Sequence, residues 1–508
     1  MKLAFCLFGF VFFSVSTLFA RAEKPNIIIF LVDDMGLMDC SVPFLASPDG
    51  QPIDSELHKF YQTPAMESLA SRGIRFSDFY VHSVCSPTRV SLMTGQNSAR
   101  HRTTQWINPT GKTRDGLDPI EWNWMGLQSA DVTLPRLLQN AGYKTLFIGK
   151  AHFGPIGSEG ADPLNLGFDV NVGGTSWGRP KSYYGRDHFG NHPKYLEEGN
   201  ELTHHIPHLE EYYADDLFLS EALTREAMIE VDQAIAEAKP FYLQMSHYAV
   251  HSPFQPDPRF AHHYAASMKN PKLQAYATLV AGIDQSLADL LHYLEERGVA
   301  EDTLIFFLGD NGSDAPMGDP NAIRSSAPLR GKKATRWEGG MRVPFIAAWA
   351  LRNPQNRWQR ELPIPAGSIT PEMGVCYDLF PTILDLLDLP LPSGHTLDGQ
   401  NLRQRLLGQK EKQYRNRFLN HYPHRHRNSY FTSLRVDQWK LIYNYQPSKE
   451  IPRYQLYDLK KDLSESNNLA KLYPKQLRIM MKTLVEELLS MSALYPVDAG
   501  QVLEPVIP

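Results

Sequence analysis

Short apolar segments rich in β-branched and aromatic residues recur along the chain, and helical patterns separate them. Residues 26–32, 144–149, 240–246 and 303–309 are the clearest of these segments. Continuous apolar strands that alternate with amphipathic helices are typical of a mostly parallel sheet with helices on both faces, because such strands are buried on both sides. We therefore predict an α/β fold with one large, mostly parallel sheet sandwiched by helices.

The character of the sequence changes after about Pro390, where turn-rich, basic and aromatic segments lead to a final helical pattern near residues 475–491. We predict a large domain over residues 23–390 and a smaller α+β subdomain over residues 391–508, which suits a chain of 508 residues. The formal net charge of −5 is small and no block of like charges occurs. The composition therefore argues against a nucleic-acid or membrane-surface partner.

Residues 1–22 combine a basic start, an apolar run and small residues at Ala20 and Ala22. This pattern predicts a secretory signal that is cleaved after Ala22, and hence an exported protein, periplasmic or secreted. A membrane anchor is the alternative, but the apolar run is short for a span and polar residues end it. Cleavage leaves an odd number of cysteines, so at least one of them has a use other than a disulfide. They are Cys40, Cys85 and Cys376.

Polar residues follow the first and last of the four apolar segments. Because the carboxyl ends of parallel strands line the binding crevice of an open α/β sheet, these residues are predicted to meet at one edge. Hard oxygen donors without a thiolate or a histidine cluster suit Ca²⁺ or Mg²⁺ better than Zn²⁺. An adjacent pair of aspartates can also be a plain loop pair. The candidate metal ligands are Asp33, Asp34, Asp310 and Asn311.

Basic side chains follow the two middle segments. Lys150 and His152 stand two residues apart, so on an extended chain both project to the same side. A lysine there can neutralise an anionic substrate, and a histidine can move a proton near neutral pH. Surface solvation of Lys150 and helix capping by His152 are the alternatives. His247 and His251 follow the third segment.

A cysteine, Cys85, opens a further predicted helix. Ser86 suits the N-cap and Pro87 the first helical position, which places Cys85 at a helix N-terminus, where backbone N–H groups favour an anion. Arg89, one turn on, can point back toward Cys85 and hold negative oxygens. A buried structural cysteine and a thiolate nucleophile are the two interpretations that these residues leave open.

The segment Cys85-Ser86-Pro87-Thr88-Arg89 resembles the Cys-x-Pro-x-Arg signature of the type I sulfatases, in which a dedicated enzyme oxidises the cysteine to Cα-formylglycine. The resemblance extends over nearly the whole chain after the predicted signal, with its motifs in the family's order. It implies an alkaline-phosphatase-like fold and sulfuric ester hydrolysis, of the arylsulfatase or N-acetylgalactosamine-sulfatase kind. The other matching segments are residues 25–36, 141–154, 308–312, 329–344 and 454–470.

The resemblance implies a role for each matching residue. Formylglycine formed from Cys85 would be the nucleophile, and His152 the base that releases sulfate. His251 would contact sulfate and protonate the leaving oxygen, with His247 as a weaker candidate for that role. The remaining implied roles are one calcium ion held by Asp33, Asp34, Asp310, Asn311 and an oxygen of residue 85, and contacts to the nucleophile and sulfate from Arg89, Lys150 and Lys333, with Lys332 as the alternative to Lys333.

The family's chemistry explains the aldehyde. Its hydrate carries two hydroxyls on one carbon: one attacks sulfur, and the second loses its proton to His152 so that sulfate leaves. Calcium and the cationic side chains stabilise charge on the sulfate oxygens. The implied substrate is a sulfated polysaccharide or oligosaccharide, and the implied partner is the enzyme that oxidises Cys85.

Two other functions use parts of this pattern. A phosphatase or phosphonate monoester hydrolase of the same superfamily could use the same sheet, although two-metal versions need more ligands than residues 308–312 offer. A non-catalytic protein that binds sulfated glycans would leave Cys85 unoxidised. Residues 421–431, rich in histidine and arginine, either reach over the pocket or form a solvated loop. Three tryptophans either stack on sugar rings or belong to the core: Trp106, Trp122 and Trp124.

Overall fold

The structure is a computed structural model that describes residues 24–47, 50–112, 116–194, 204–215, 217–264, 270–411, 414–427 and 430–508. The predicted signal, residues 1–22, lies outside the described residues. Within the described ranges, no helix has both the length and the apolar character that crossing a bilayer requires.

One eight-stranded sheet forms the centre of the molecule. Its strands are β1 (Asn26–Val32), β2 (Ile74–Tyr80), β3 (Lys144–Gly149), β4 (Val170–Val172), β5 (Phe241–His247), β6 (Thr303–Gly309), β7 (Phe345–Trp349) and β8 (Ser368–Val375). The order across the sheet is β4-β3-β5-β1-β6-β7-β2-β8. Among these strands β7 runs antiparallel to both of its neighbours, and the other pairs are parallel. The predicted mostly parallel sheet is confirmed.

Both faces of the sheet are covered, as the apolar strands predict. All seven residues of β1 are buried. Ile28, Phe30 and Val32 face one core, while residues 27, 29 and 31 face a second core on the opposite side. Alternate side chains of a strand point to opposite faces, so a strand between two cores is apolar throughout.

Helices supply the other half of each core. The two longest, Leu219–Ala236 and Pro271–Glu296, pack on the first core, and the helices Cys85–Thr94 and Leu379–Leu386 pack on the second. Asn270 caps the longest helix by accepting from two backbone amides. The other α-helices whose bounds lie in the described residues are Glu56–Phe60, Pro64–Arg72, Ser98–His101, Leu134–Asn140, Ala261–Tyr264, Arg357–Glu361, Arg403–Leu406 and Pro474–Ser490.

A second, antiparallel sheet forms the C-terminal region. Its strands are β9 (Arg417–Tyr422), β10 (Phe431–Val436), β11 (Trp439–Asn444) and β12 (Tyr454–Asp458), in the order β12-β11-β10-β9. The helix Pro474–Ser490 covers one face, where Leu441 packs. The other face, with Ile442, packs against Val84 and Trp337 of the large domain. A short ribbon of Val497–Asp498 and Gln501–Val502 follows. The domain boundary at residue 390 stays a prediction.

A buried ion cluster joins the two sheets. The ammonium of Lys440 on β11 lies 2.9 Å from Glu338 of the large domain and 2.7 Å from Glu465. The Glu465 carboxylate also accepts from the Glu338 amide at 2.7 Å. All three side chains are at most 1% exposed, so each charge depends on its partners rather than on water.

We expect the Lys440→Met variant to lose about 3–5 kcal/mol of unfolding free energy, because the buried Glu465 carboxylate is left without its cation. Glu338 keeps the more distant guanidiniums of Arg342 at 3.6 Å and Arg435 at 3.9 Å. Urea unfolding followed by tryptophan fluorescence measures the loss. The matched control is Lys461→Met, since Lys461 is 81% exposed beside Asp458 and such a pair contributes less than about 1 kcal/mol. Equal stability of the two variants would show that the Lys440 cluster contributes nothing beyond a surface pair.

Candidate functional site

The carboxyl ends of four neighbouring strands bring the polar residues together. Val32, the last residue of β1, pairs with His247 of β5 and with Gly309 of β6. The backbone amide of Lys150, just past β3, donates to the Ser246 carbonyl at 2.7 Å. The residues that follow these strands therefore converge at one edge of the sheet, as parallel neighbours require.

Asp33, Asp34 and Asp310 form a cluster in which one oxygen of each lies within 4.8 Å of the others. All three are fully buried, and so is Asn311. Three oxygens accept no hydrogen bond from any part of the chain that the structure describes. They are Asp33 Oδ1, Asp34 Oδ2 and Asn311 Oδ1. Buried oxygens without a donor are costly, so an all-oxygen set of this kind fits a hard divalent cation.

Each carboxylate also faces one cation of the protein. Lys150 Nζ lies 2.6 Å from Asp33, Lys333 Nζ lies 2.6 Å from Asp34, and the Arg89 guanidinium lies 2.9 Å from Asp310. Although burial opposes ionisation, the nearby Lys333 holds the pKa of Asp34 below its usual value. The site therefore combines anionic oxygens for a metal with positive groups for an anionic substrate.

Cys85 is the first residue of the helix Cys85–Thr94, and Val84 is its N-cap. The prediction that Ser86 is the N-cap and Pro87 the first helical residue is wrong. The Ser86 hydroxyl instead donates to the His152 carbonyl and accepts from the Ile107 amide, both at 3.1 Å. The helix can start two residues before Pro87, because the first N–H groups of a helix have no intrahelical acceptor. A proline, which lacks an N–H, therefore costs no hydrogen bond in the first turn.

His152 lies directly beside Cys85. Its Nδ1 is 3.4 Å from the Cys85 sulfur, and its Nε2 is 2.6 Å from the Ile107 carbonyl. Because a carbonyl only accepts, Nε2 carries the proton and Nδ1 is the free acceptor. Burial first, and then the positive Lys150, lowers the pKa of His152 well below its usual value, so the ring is neutral. This geometry suits a base acting on residue 85.

The prediction that Lys150 and His152 project to the same side of an extended chain is wrong, because the chain is not extended there. His152 has φ 57°, which lies in the left-handed region. Both side chains reach the site all the same, Lys150 toward Asp33 and His152 toward Cys85. The turn after β3 therefore does what a straight strand end was predicted to do.

Residues 104–107, which end in the carbonyl that orients His152, are held by hydrogen bonds from the C-terminal region. The Tyr422 hydroxyl donates to the Gln105 side chain at 2.6 Å, and the Thr104 hydroxyl lies 2.8 Å from His424 Nε2. These bonds fix the residues that lead to the Ile107 carbonyl. No sequence pattern indicated the contribution of Ile107, because it is made by a backbone carbonyl, a group that every residue type has.

The other candidate residues divide into two groups. His251 Nε2 lies 3.6 Å from Asp34, at the partly open side of the cluster. Lys332 turns away and bonds the Ala315 carbonyl at 3.0 Å. His247 is fully buried, 2.9 Å from the Ser286 hydroxyl on the helix Pro271–Glu296. The structure thus brings His251 and Lys333 to the cluster, and it places Lys332 and His247 outside it.

One residue of the histidine- and arginine-rich segment, Arg427, lies beside Lys333, whose carbonyl accepts from the Arg427 guanidinium at 3.4 Å. The Arg427 guanidinium bonds Asp314 at 2.9 Å, and Lys332 also lies 3.4 Å from Asp314. Trp122 is 2% exposed and packs edge-on against His424, which makes it a core residue. Trp106 and Trp124 are half-buried, and stacking on a sugar stays a prediction for them.

Two family models match overlapping parts of the chain. A sulfatase family model matches residues 25–389, and a model of the N-sulphoglucosamine sulphohydrolase C-terminal region matches residues 333–493. N-acetylgalactosamine-6-sulfatase of Canis lupus familiaris is 29% identical over 395 residues, which are 76% of this chain and 66% of that protein. The chain thus spans slightly less than two thirds of this relative.

Solved structures share the fold. The structure of Ps i-CgsB in complex with k-i-k-neocarrahexaose has a TM-score of 0.71 and 24% identity, over 92% of this chain and 93% of that one. A protein in complex with its substrate D-glucosamine-2-N,6-O-disulfate has a TM-score of 0.63 and 20% identity, over 92% and 98%. The family match covers most of the chain, and the chain belongs to the sulfatase family.

Proposed function

We propose that the protein hydrolyses sulfate esters of a carbohydrate, with a formylglycine made from Cys85 as nucleophile and one calcium ion. One observation carries the proposal: Cys85 lies at a helix start beside a neutral base, and Arg89 of the same helix lies 2.9 Å from Asp310, in a cluster with buried acidic oxygens that accept no hydrogen bond within the described chain. Family membership supports the reaction type. A sulfated polysaccharide or oligosaccharide is the proposed substrate.

Asp33, Asp34, Asp310 and Asn311 would hold the calcium ion, together with an oxygen of residue 85. Three of these residues, Asp33, Asp34 and Asn311, each have an oxygen that accepts no hydrogen bond within the described chain, and such oxygens are the donors that Ca²⁺ prefers. The ion supplies electrostatic stabilisation of negative charge on the reacting sulfate. Lys150, Lys333 and Arg89 add positive charge at the same place, because each already contacts one of the three carboxylates.

The protein's own residues then do three things. The Ile107 carbonyl keeps the proton of His152 on Nε2, so that Nδ1 accepts a proton from residue 85. Lys333 and His251, on either side of Asp34, bind sulfate oxygens, and His251 is placed to give a proton to the leaving oxygen. The aldehyde hydrate supplies two hydroxyls on one carbon, which permits attack and later release.

His251 needs a bound substrate to act as an acid. Burial first, and then the positive Lys333, lowers the pKa of His251 to about 3. The negative sulfate ester nearby favours the protonated ring, since an opposite charge within a few ångströms stabilises it. Lys332 and His247 receive no part in the chemistry, because their side chains bond Ala315 and Ser286 instead.

Names of similar proteins support the substrate class. One relative is an N-acetylgalactosamine-6-sulfatase, and two proteins of similar fold are in complex with k-i-k-neocarrahexaose and with D-glucosamine-2-N,6-O-disulfate. We propose a sulfated glycan for this chain on that basis. On the pattern of residues 1–22 we also propose that the protein is exported. We further propose that a maturing enzyme oxidises Cys85.

The test compares two esters of one phenol, 4-nitrophenyl sulfate and 4-nitrophenyl phosphate. The protein is produced with and without a formylglycine-generating enzyme, and peptide mass spectrometry measures the oxidised fraction of residue 85. We expect sulfate ester turnover to rise in proportion to that fraction and to exceed phosphate turnover. A preference for phosphate would support the phosphatase alternative. Binding of sulfated glycans without any turnover by oxidised protein would support the non-catalytic alternative.

A further inference from the structure

A loop around residue 178 covers the ring of His152. The His152 amide donates to the Thr175 carbonyl at 3.0 Å. Gly178 lies against the imidazole so closely that a Cβ at this position would be 2.6 Å from Cε1 of His152. Only glycine permits that approach. The two side chains that flank it, Trp177 and Arg179, therefore start directly beside the proposed base.

The charge of Arg179 also acts on Tyr183, a residue that is hydrogen-bonded to the second histidine of the site. Burial first, and then the charges of Asp33 and Asp34, raise the pKa of Tyr183, and the positive charge of Arg179 opposes that rise. The guanidinium therefore lies within electrostatic range of the Tyr183 hydroxyl. This hydroxyl donates to the His251 carbonyl at 2.7 Å. Arg179 thus directly follows the residue that contacts His152, and its charge acts on the tyrosine that bonds His251.

The Arg179 side chain differs from the other positive groups of the site in having no partner within the described part of the chain. Arg89, Lys150 and Lys333 each contact a buried carboxylate. Arg179 is exposed, and among the described residues it has neither a carboxylate nor a carbonyl acceptor. Its planar set of N–H donors matches a carboxylate or a sulfate in a bidentate arrangement.

An aromatic pair stands next to this arginine. The Trp177 ring stacks on His204 with 4.4 Å between the centroids and 24° between the planes. Burial first, and then the nearby Arg179 and Lys181, lowers the pKa of His204 to about 4, so this ring is neutral near pH 7. Trp177 is half-buried and held in place by the stack. A fixed aromatic face beside a guanidinium can hold a sugar ring and its charge together.

We propose that Arg179, beside Trp177, binds a second anionic group of the substrate, a carboxylate or a further sulfate on the same sugar or on its neighbour. This inference rests on the proposed function and narrows it to glycans with two negative groups. Arg179 meets a group that does not react, so it contributes equally to the ground state and the transition state. It therefore lowers KM and leaves kcat unchanged.

The experiment uses the oxidised full-length enzyme and three variants: Arg179→Gln, Arg179→Lys and the control Arg360→Gln. Arg360 is exposed in the helix Arg357–Glu361, which follows β7 at the edge of the sheet opposite the site. The substrates are 4-nitrophenyl sulfate, N-acetylgalactosamine with one sulfate, the same sugar with two sulfates, and a sulfated N-acetylgalactosamine linked to a uronic acid.

We expect Arg179→Gln to raise KM about tenfold for the doubly charged sugars, the scale of a lost charge-assisted hydrogen bond. Values for 4-nitrophenyl sulfate and the singly sulfated sugar should change less than twofold, and Arg179→Lys should fall between. The disulfate and uronate substrates distinguish the two anion sources. An equal rise in KM for all substrates, or no rise for either doubly charged sugar, overturns the inference.

A binding measurement separates this inference from the proposed reaction. In the Cys85→Ala background, which cannot turn over, calorimetry measures the affinity for the disulfated sugar and for the uronate-linked sugar with and without Arg179→Gln. If Arg179→Gln weakens the binding of either sugar about tenfold, the inference is supported, even if oxidised wild-type enzyme fails to release sulfate. Unchanged affinity for both overturns the inference even if the wild-type enzyme proves to be a sulfatase.

Discussion

The Cys85→Ser variant should lose multiple turnover, with kcat lower by on the order of 10⁴-fold or more, the scale of removing a catalytic nucleophile. A serine offers one hydroxyl, so after attack on sulfur nothing remains for His152 to deprotonate and the sulfate stays on the protein. Quantifying released phenol per protein molecule measures the effect, and intact mass spectrometry should find one added sulfate at residue 85.

The control is Cys376→Ser, which replaces another fully buried free cysteine, one that packs in the second core. It should keep the activity of the wild type, apart from any loss of folded protein. Continuous turnover by Cys85→Ser at the wild-type rate would refute the two-hydroxyl mechanism. Loss of activity in both variants together with loss of structure would instead indicate damage to the fold.

The Asp310→Asn variant should lose bound calcium, and kcat/KM should fall by about 10²- to 10³-fold, the scale of lost charge stabilisation in a transition state. The amide removes one negative charge from the metal cluster. Its remaining oxygen can still accept from Arg89, whose Nε bonds Asp310 Oδ2 at 2.9 Å, and the bond that is lost is the one from the Asp34 amide to Oδ1 at 3.1 Å. The fold is expected to persist with one backbone hydrogen bond fewer. Atomic emission after gel filtration gives calcium per chain, and excess calcium should restore part of the activity.

A neighbouring acid provides the matched control. Asp39 is also fully buried, but its oxygens already accept from the Gly36 amide and the Tyr276 hydroxyl, both at 2.8 Å, and from the Ser313 hydroxyl at 3.0 Å. Asp39→Asn should therefore leave the calcium content unchanged. Full calcium occupancy in Asp310→Asn would remove Asp310 from the ligand set.

The central strands of the fold were predictable, and the outer ones were not. Strands β1, β3, β5 and β6 are apolar because helices cover both of their faces. Strand β2 contains Arg75 and Asp78, which only distant partners satisfy: Arg75 bonds the Pro43 carbonyl at 2.8 Å, and Asp78 pairs with Arg435 at 2.6 Å. Strand β8, at the sheet edge, contains Pro371. Such patterns are visible only once the tertiary contacts exist.

Residues at the site were predictable where side chains follow strands. Asp33, Asp34, Asp310 and Asn311 do come together, because parallel strands end at one edge. The sequence could not indicate the contribution of the Ile107 carbonyl, which depends on the local path of the backbone. Arg179 was missed for another reason: it lies in the loop after β4, a three-residue strand at the sheet edge that was not predicted, and the contact of Gly178 with His152 shows that this loop reaches the site.

The hydrogen bonds from the C-terminal region to residues 104–107 have a consequence for protein synthesis. Gln105 and Tyr422 are 317 positions apart, and Thr104 and His424 are 320 apart. A ribosome that works from the N-terminus makes Cys85 and His152 long before the side chains that steady the imidazole. A polypeptide that ends at a premature stop codon before Tyr422 would therefore carry Cys85, His152 and the acidic cluster without the bonds that hold Thr104 and Gln105, and the Ile107 carbonyl would lose that support. The cell would receive an inert product rather than an unregulated hydrolase.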